Sequence, residues 1–140
     1  MPTSTLTAVD SLVEAIAEKA HNLGSDSLRV ALTNSAPIAS NTVLANITEI
    51  SYTNCSSRAL TVTASSQTSG TYKLVISDLV LTASGGNVGP FRYVVVYNDT
   101  AASDELIGWL DYGSSITLAD GETLTLDFSA ANGILQIAKV

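Results

Sequence analysis

Two hydrophobic periods divide the chain near Gly24. Val9, Leu12, Val13, Ile16, Ala17 and Ala20 fall at i, i+3, i+4, i+7, i+8 and i+11, the spacing that lines apolar side chains along one helix stripe. This predicts an amphipathic helix over Val9–Asn22. Thr7 stands where a hydroxyl can cap the first turn, Asp10 lies near the positive end of the helix dipole, and Asn22-Leu23-Gly24 supplies a stop. Met1 to Leu6 has no period and reads as an arm ahead of the helix.

From Ser27 onward the period is two. Leu28, Val30 and Leu32 alternate with Ser27, Arg29 and Ala31, as in a half-buried strand. Asn34 to Asn41, with Pro37, reads as a loop, and Val43 to Ile50 as an irregular stretch or short helical turn. Further strands are predicted over Ala59–Ala64, Thr71–Ser77, Leu79–Ala83, Phe91–Tyr97, Leu106–Tyr112, Ser115–Leu118, Thr123–Phe128 and Ile134–Val140. Phe91–Tyr97 is the most apolar and is expected to be central. Ser84 to Pro90 is rich in Gly and ends in Pro, so it reads as a loop. Ala119-Asp120-Gly121-Glu122 reads as a hairpin turn, with Asp-Gly supplying positive φ.

Roughly seven to nine short strands with turn signals about every 8–12 residues predict a mainly β fold: an antiparallel, jelly-roll-like β-sandwich with one N-terminal α-helix. The expected division is residues 1–24 as arm and helix and residues 25–140 as the sandwich domain. The expected core comprises Leu28, Val30, Leu32, Leu74, Ile76, Val94, Val96, Trp109, Leu124, Leu126, Phe128 and Ile137.

Composition changes the picture in one respect. Of 140 residues, 46% are hydrophobic and only 14% charged, and mean hydropathy is +0.30. Ser, Thr, Asn and Gly supply most of the polarity. A surface with few charges to desolvate suits broad contact with neighbouring protein, and suits an adhesive module equally. Net charge is −7, and the six basic residues, Lys19, Arg29, Arg58, Lys73, Arg92 and Lys139, are scattered singly. Phosphate backbones are bound by clustered Lys and Arg, so no nucleic-acid partner is expected. Without a long apolar run or a charged and apolar leader pattern, neither a membrane span nor a Sec signal peptide is expected.

Candidate chemistry is sparse. His21 is the only histidine and Cys55 the only cysteine, so an intrachain disulfide is impossible and a Cys–His dyad would have to unite these two. His21 is expected to be structural or solvent-facing and Cys55 an inert packing residue. Gly-x-Ser-x-Gly is absent. Ser84-Gly85-Gly86-Asn87-Val88-Gly89 lacks the Lys-Ser/Thr ending of a phosphate loop and leads into a strand. Asn98-Asp99-Thr100, Ser103-Asp104-Glu105, and Asp120 with Glu122 offer oxygen ligands for calcium, but without EF-hand spacing. Asn46, Asn54 and Asn98 begin Asn-x-Ser/Thr sequons, as expected by chance in so Ser- and Thr-rich a chain. Tyr72, Tyr93, Tyr97, Trp109 and Tyr112 would serve as a sugar platform if exposed together, and as sheet-face residues otherwise. No catalytic, cofactor-binding or metal-binding residue is therefore expected, and no enzymatic activity.

Several segments have a family character. They are Lys19-Ala20-His21-Asn22-Leu23-Gly24-Ser25-Asp26, Leu32-Thr33-Asn34-Ser35-Ala36-Pro37, Gly89-Pro90-Phe91-Arg92-Tyr93-Val94-Val95-Val96-Tyr97-Asn98-Asp99-Thr100, and Leu106-Ile107-Gly108-Trp109-Leu110-Asp111-Tyr112 continuing to Thr123. Together they resemble a family of small structural proteins of tailed bacteriophages and prophages, over nearly the whole chain. Asn54-Cys55-Ser56-Ser57-Arg58 departs from it, standing where a glycine-containing turn is expected. The resemblance implies a virion component, made in the host bacterial cytoplasm and acting as a capsid decoration or cement protein. Its implied partners are the major capsid protein and itself, as a dimer or trimer on the capsid surface. It transfers no catalytic residues. A tail or head–tail component and a carbohydrate- or host-surface-binding module are the alternatives.

Overall fold

A computed structural model describes residues 6–140, so most of the predicted arm lies outside the described residues. The fold is mainly β, with antiparallel sheets and one short helix. The elements are β1 (Thr7–Ala8), α1 (Leu12–Ala17), β2 (Leu28–Thr33), a 3₁₀ turn (Leu44–Asn46), β3 (Val62–Thr68), β4 (Thr71–Ile76), β5 (Leu79–Thr82), β6 (Val88–Asn98), β7 (Leu106–Leu118), β8 (Thr123–Leu126) and β9 (Leu135–Ala138). They form a four-stranded sheet β1-β7-β6-β2, a three-stranded sheet β3-β4-β9 and a β5-β8 pair. Side chains of all three feed one hydrophobic cluster.

Strand β6 is interior, between β7 and β2, as its apolar run predicts. Val94, Val95 and Val96 are all fully buried, so both its faces are covered. Strand β2 is covered on both faces too, with Ala31 and Thr33 buried beside Leu28, Val30 and Leu32. Its free edge is closed by the segment after it: the Val30 N–H donates to the Arg58 carbonyl, and the Leu60 N–H to that of Leu28 (both 3.0 Å).

The helix is shorter than its stripe. Thr7 does not cap it, because Thr7 and Ala8 pair with Trp109 and Gly108 of β7. Gly108 permits this approach, since a Cβ there would collide with the Thr7 carbonyl. At the other end the stop is Lys19 (φ 67°) and not Gly24. The Ala20 N–H bonds the Ala15 carbonyl (2.8 Å) and the Lys19 N–H that of Ile16 (3.3 Å), which is a Schellman closure with lysine in the left-handed position. Leu12 is buried but Val13 is 74% exposed. Val9, Leu12, His21 and Leu23 are buried with the strand residues, so the change of period at Gly24 does not divide the core.

The strand bounds also shift. Ala59 makes only an isolated bridge to Arg29, and β3 instead runs into a two-residue hairpin at Ser69-Gly70, both with positive φ (51° and 82°), the primed-turn geometry that matches strand twist. Leu106–Tyr112 and Ser115–Leu118 are one strand, with register shifts against β6 absorbing the irregularity at Gly113. Val88 to Pro90 belongs to β6 and not to the preceding loop. Asp120-Gly121 is a turn but not a hairpin: only Gly121 has positive φ, and β7 and β8 diverge to different sheets. Its backbone pairs with Ala83 instead, which bonds Gly121 and Glu122 (2.7 and 3.0 Å).

Ten of the twelve expected core residues are buried. Trp109 is half-buried, flanked by the two-residue strand β1. Ile137 is 42% exposed, because β9 is the outer strand of its sheet.

Candidate functional site

The strongest concentration of polar side chains lies where the segment after α1 meets the end of β6. Asn98 is fully buried and His21 is 5% exposed. The Asn98 side chain uses all of its hydrogen-bonding capacity. Its Nδ2 donates to Asp26 Oδ2 (2.7 Å) and to His21 Nδ1 (3.0 Å). Its Oδ1 accepts from the Thr100 and Ala101 N–H groups (3.0 and 3.1 Å). Asp26 Oδ2 also accepts from the Asn22 N–H (2.8 Å). One amide thus ties the helix exit, the approach to β2 and the β6–β7 loop into a clasp. Thr100 completes it by accepting from the Ser27 N–H (2.8 Å).

An accepting Nδ1 assigns the neutral Nε2–H form to His21. That Nε2 is buried without a hydrogen-bond partner among the described residues. Burial pushes the imidazole pKa down, against the upward pull of Glu105, the Leu106 backbone and Asp26. With both nitrogens enclosed, His21 has no route to a substrate as a general base. A neutral native histidine binds fewer protons than the unfolded chain, which protonates near pH ~6.5, so stability from this site is complete above that pH and declines as pH falls below it. Urea titrations between pH 7 and 5 should show a decline that His21→Gln reduces. An equal decline in both proteins would contradict this account.

Cys55 lies elsewhere, bridged to Ala83 beside β5. Burial raises its thiol pKa, opposed by Arg58, the reverse of an activated nucleophile. No hydrogen bond joins it to His21 among the described residues. The departure segment around it is firmly seated. The Arg58 guanidinium lies 3.6 Å over the Tyr52 ring and donates to the Val30 carbonyl (2.7 Å).

The acidic loops are spent on backbone. Asp120 Oδ1 accepts from the Gly85 N–H (2.9 Å), Glu122 Oε1 from Ala119 (2.7 Å) and Glu105 Oε2 from Ser103 (3.2 Å). A carboxylate against Gly85 gives the glycine loop the wrong sign for a phosphate. Among the described residues no three His, Cys, Asp or Glu side chains converge on a metal position. Of the sequon asparagines, Asn98 is inaccessible, and Asn46 Oδ1 is occupied by Thr42 and Val43. Asn54 donates to the Asn87 carbonyl (3.3 Å).

The aromatics form no common platform. Tyr97 is buried, Tyr93, Trp109 and Tyr112 sit half-buried on the four-stranded sheet, and Tyr72 belongs to β4. Of the basic residues, Arg92 is held by a two-point bond to Asp111 (2.8 and 3.1 Å), and Arg29 lies 4.0 Å from Asp99. No helix among the described residues is long and apolar enough to cross a membrane.

The sequence signalled none of the clasp except His21. Asn98 reads as a sequon or a loop ligand, and only the fold brings it to Asp26, 72 residues away in the chain. Comparison with protein-family models, with curated proteins and with solved structures found no match.

Proposed function

We propose that the chain is a non-enzymatic structural protein of a tailed-phage particle. In this reading its sheets pack as a jelly-roll-like sandwich that sits on the outer capsid shell. There it decorates and cements contacts between major capsid subunits, associating with further copies of itself. The observation carrying the proposal is that the lone histidine and several of the carboxylates the sequence offered as ligands are held in structural hydrogen bonds. His21, Asp26 and Asn98 form the clasp, while Asp120 and Glu122 lock turns. The chain is also low in charge, with only 14% charged residues, which suits broad contact with neighbouring protein. The phage-like segments quoted above support the same assignment. Weak contacts repeated over many copies add up to a firm hold. The net charge of −7 suits an outer position, since a lining against DNA calls for basic patches.

The test is made on particles of the phage or prophage that encodes the chain. Mass spectrometry should find the protein in purified particles, and antibody labelling should place it on the shell. Particles lacking the gene should assemble but rupture at lower temperature. Labelling confined to the tail would replace the capsid assignment with the tail alternative.

A further inference from the structure

We propose that β9 is a self-association edge, at which a second copy of this chain pairs β9 to β9, antiparallel, joining two three-stranded sheets into one of six strands. This deepens the self-association in the proposed function and rests on it for its occupant.

Strand β9 pairs with β4 alone. The hydrogen-bonding direction along it follows from the ladder. The Ser69-Gly70 hairpin makes Thr68 and Thr71 a bonded pair, so residues 71, 73 and 75 of β4 face β3, and residues 72 and 74 face β9. The Lys139 N–H accordingly reaches the Gly70 carbonyl (3.0 Å). Residues 135, 137 and 139 therefore point their backbone groups inward. Gln136 and Ala138 point theirs outward, with no partner among the described residues. A two-fold axis at Ile137 would set Gln136 of each copy against Ala138 of the other, forming four N–H···O bonds. Such a pair is isologous, so it closes as a dimer.

Two other sheet edges are covered, and β3 carries a bulge between Val62 and Ala64. The β2 edge is bonded by the Arg58 and Leu60 backbones, and the β5 edge by Ser56, whose N–H reaches the Thr82 carbonyl (3.0 Å). By contrast Leu135-Gln136-Ile137-Ala138 has no charge, proline or bulge within it, the devices that blunt a free edge. Ile137 stands half-exposed beside Tyr72 in a groove of about 380 Å³ between the α1 exit and this sheet, and the partner's Ile137 would cover it across the axis.

Charge distribution argues that the occupant is another copy. Residues 59–77 and 128–140, which contain β3, β4 and β9, hold Lys73 and Lys139 and no acidic residue. All thirteen carboxylates and the other four basic residues lie elsewhere, leaving −9 on the rest of the chain. Asp78 and Asp127 flank only the far end of the sheet, beyond Ile76. Two acidic copies that approach by β9 keep their carboxylates apart, and the axis at Ile137 sets Lys139 of each copy against Leu135 of the other and not against a second lysine.

The test is sedimentation of the full chain over a wide concentration range, with hydrogen exchange read at single amides. A monomer–dimer equilibrium is expected, with Gln136 and Ala138 amides becoming protected as concentration rises. Ala138→Pro removes an outward N–H without breaking the β4 ladder, and Ile137→Lys places two like charges at the axis. Each should weaken dimerisation at least tenfold while circular dichroism stays unchanged. A wild-type protein that remains monomeric at all concentrations would overturn the proposal. So would dimers that survive both substitutions but are lost in Gln67→Pro, which points to the β3 edge. Particle mass spectrometry separates this outcome from the proposed function: a chain that dimerises through β9 but is missing from particles sinks the virion assignment alone.

Discussion

Replacing Phe91 with alanine is expected to cost about 3–5 kcal/mol, the usual range for deleting a buried aromatic ring from a packed core. Phe91 heads the largest fully buried side chains, at 0% exposure. It stands opposite Ile116 where β6 and β7 change register, between two ladder irregularities that limit how far the backbone can close over a void. The loss would take a large share of the 5–15 kcal/mol or so that holds a typical domain folded. Urea denaturation with an unchanged m-value would measure it. A loss under ~1 kcal/mol would mean the ring is not a core element. Phe128→Ala should follow the same pattern with a smaller cost, since Phe128 is slightly exposed.

Asn98→Ala should cost a comparable amount by a different route. No large void forms, but four partners lose their bond at once: Asp26, His21 Nδ1 and the Thr100 and Ala101 N–H groups. Buried polar groups left unsatisfied cost about 1–3 kcal/mol each, and more beside a charge, although water entering the loop recovers part of this. A total of roughly 3 kcal/mol is expected. The loop after β6 and the segment around Asp26 should open together in hydrogen exchange, while Leu74 and Ile76 on the other sheet stay protected. Asn98→Asp should also destabilise strongly, because it replaces the donor facing Asp26 with a second carboxylate. A change below 1 kcal/mol in Asn98→Ala would contradict the clasp.

Most strands were legible because a strand that buries one face must alternate; β8 does so cleanly, and β4 buries Leu74 and Ile76 on one face. The helix was less legible. Only part of its stripe is buried, since Val13 and Ala17 are exposed; Thr7, the expected cap, pairs in β1, and Lys19 took a left-handed conformation that residue type alone assigns to glycine. The Ser69-Gly70 hairpin passed unnoticed although Ser-Gly is a turn pair, while Asp120-Gly121 carried a strong hairpin signal that the sheet pairing overrode. Both errors have one cause. A dipeptide specifies a local bend, whereas only the distant partner strand decides whether the two arms stay together.

The sequence by itself determined the mainly β architecture, the interior place of β6 and ten of the 24 buried hydrophobic residues, because those follow from local periodicity and apolar runs. Tertiary structure alone decided which strands share a sheet, since β5 with β8 and β4 with β9 are distant in the chain. It alone decided that Asn98, read locally as a loop residue, is the buried centre of the clasp. It also left Ile137 half-exposed at the outer strand β9, for strand alternation orders side chains on two faces but does not say whether a neighbouring strand or second layer covers them.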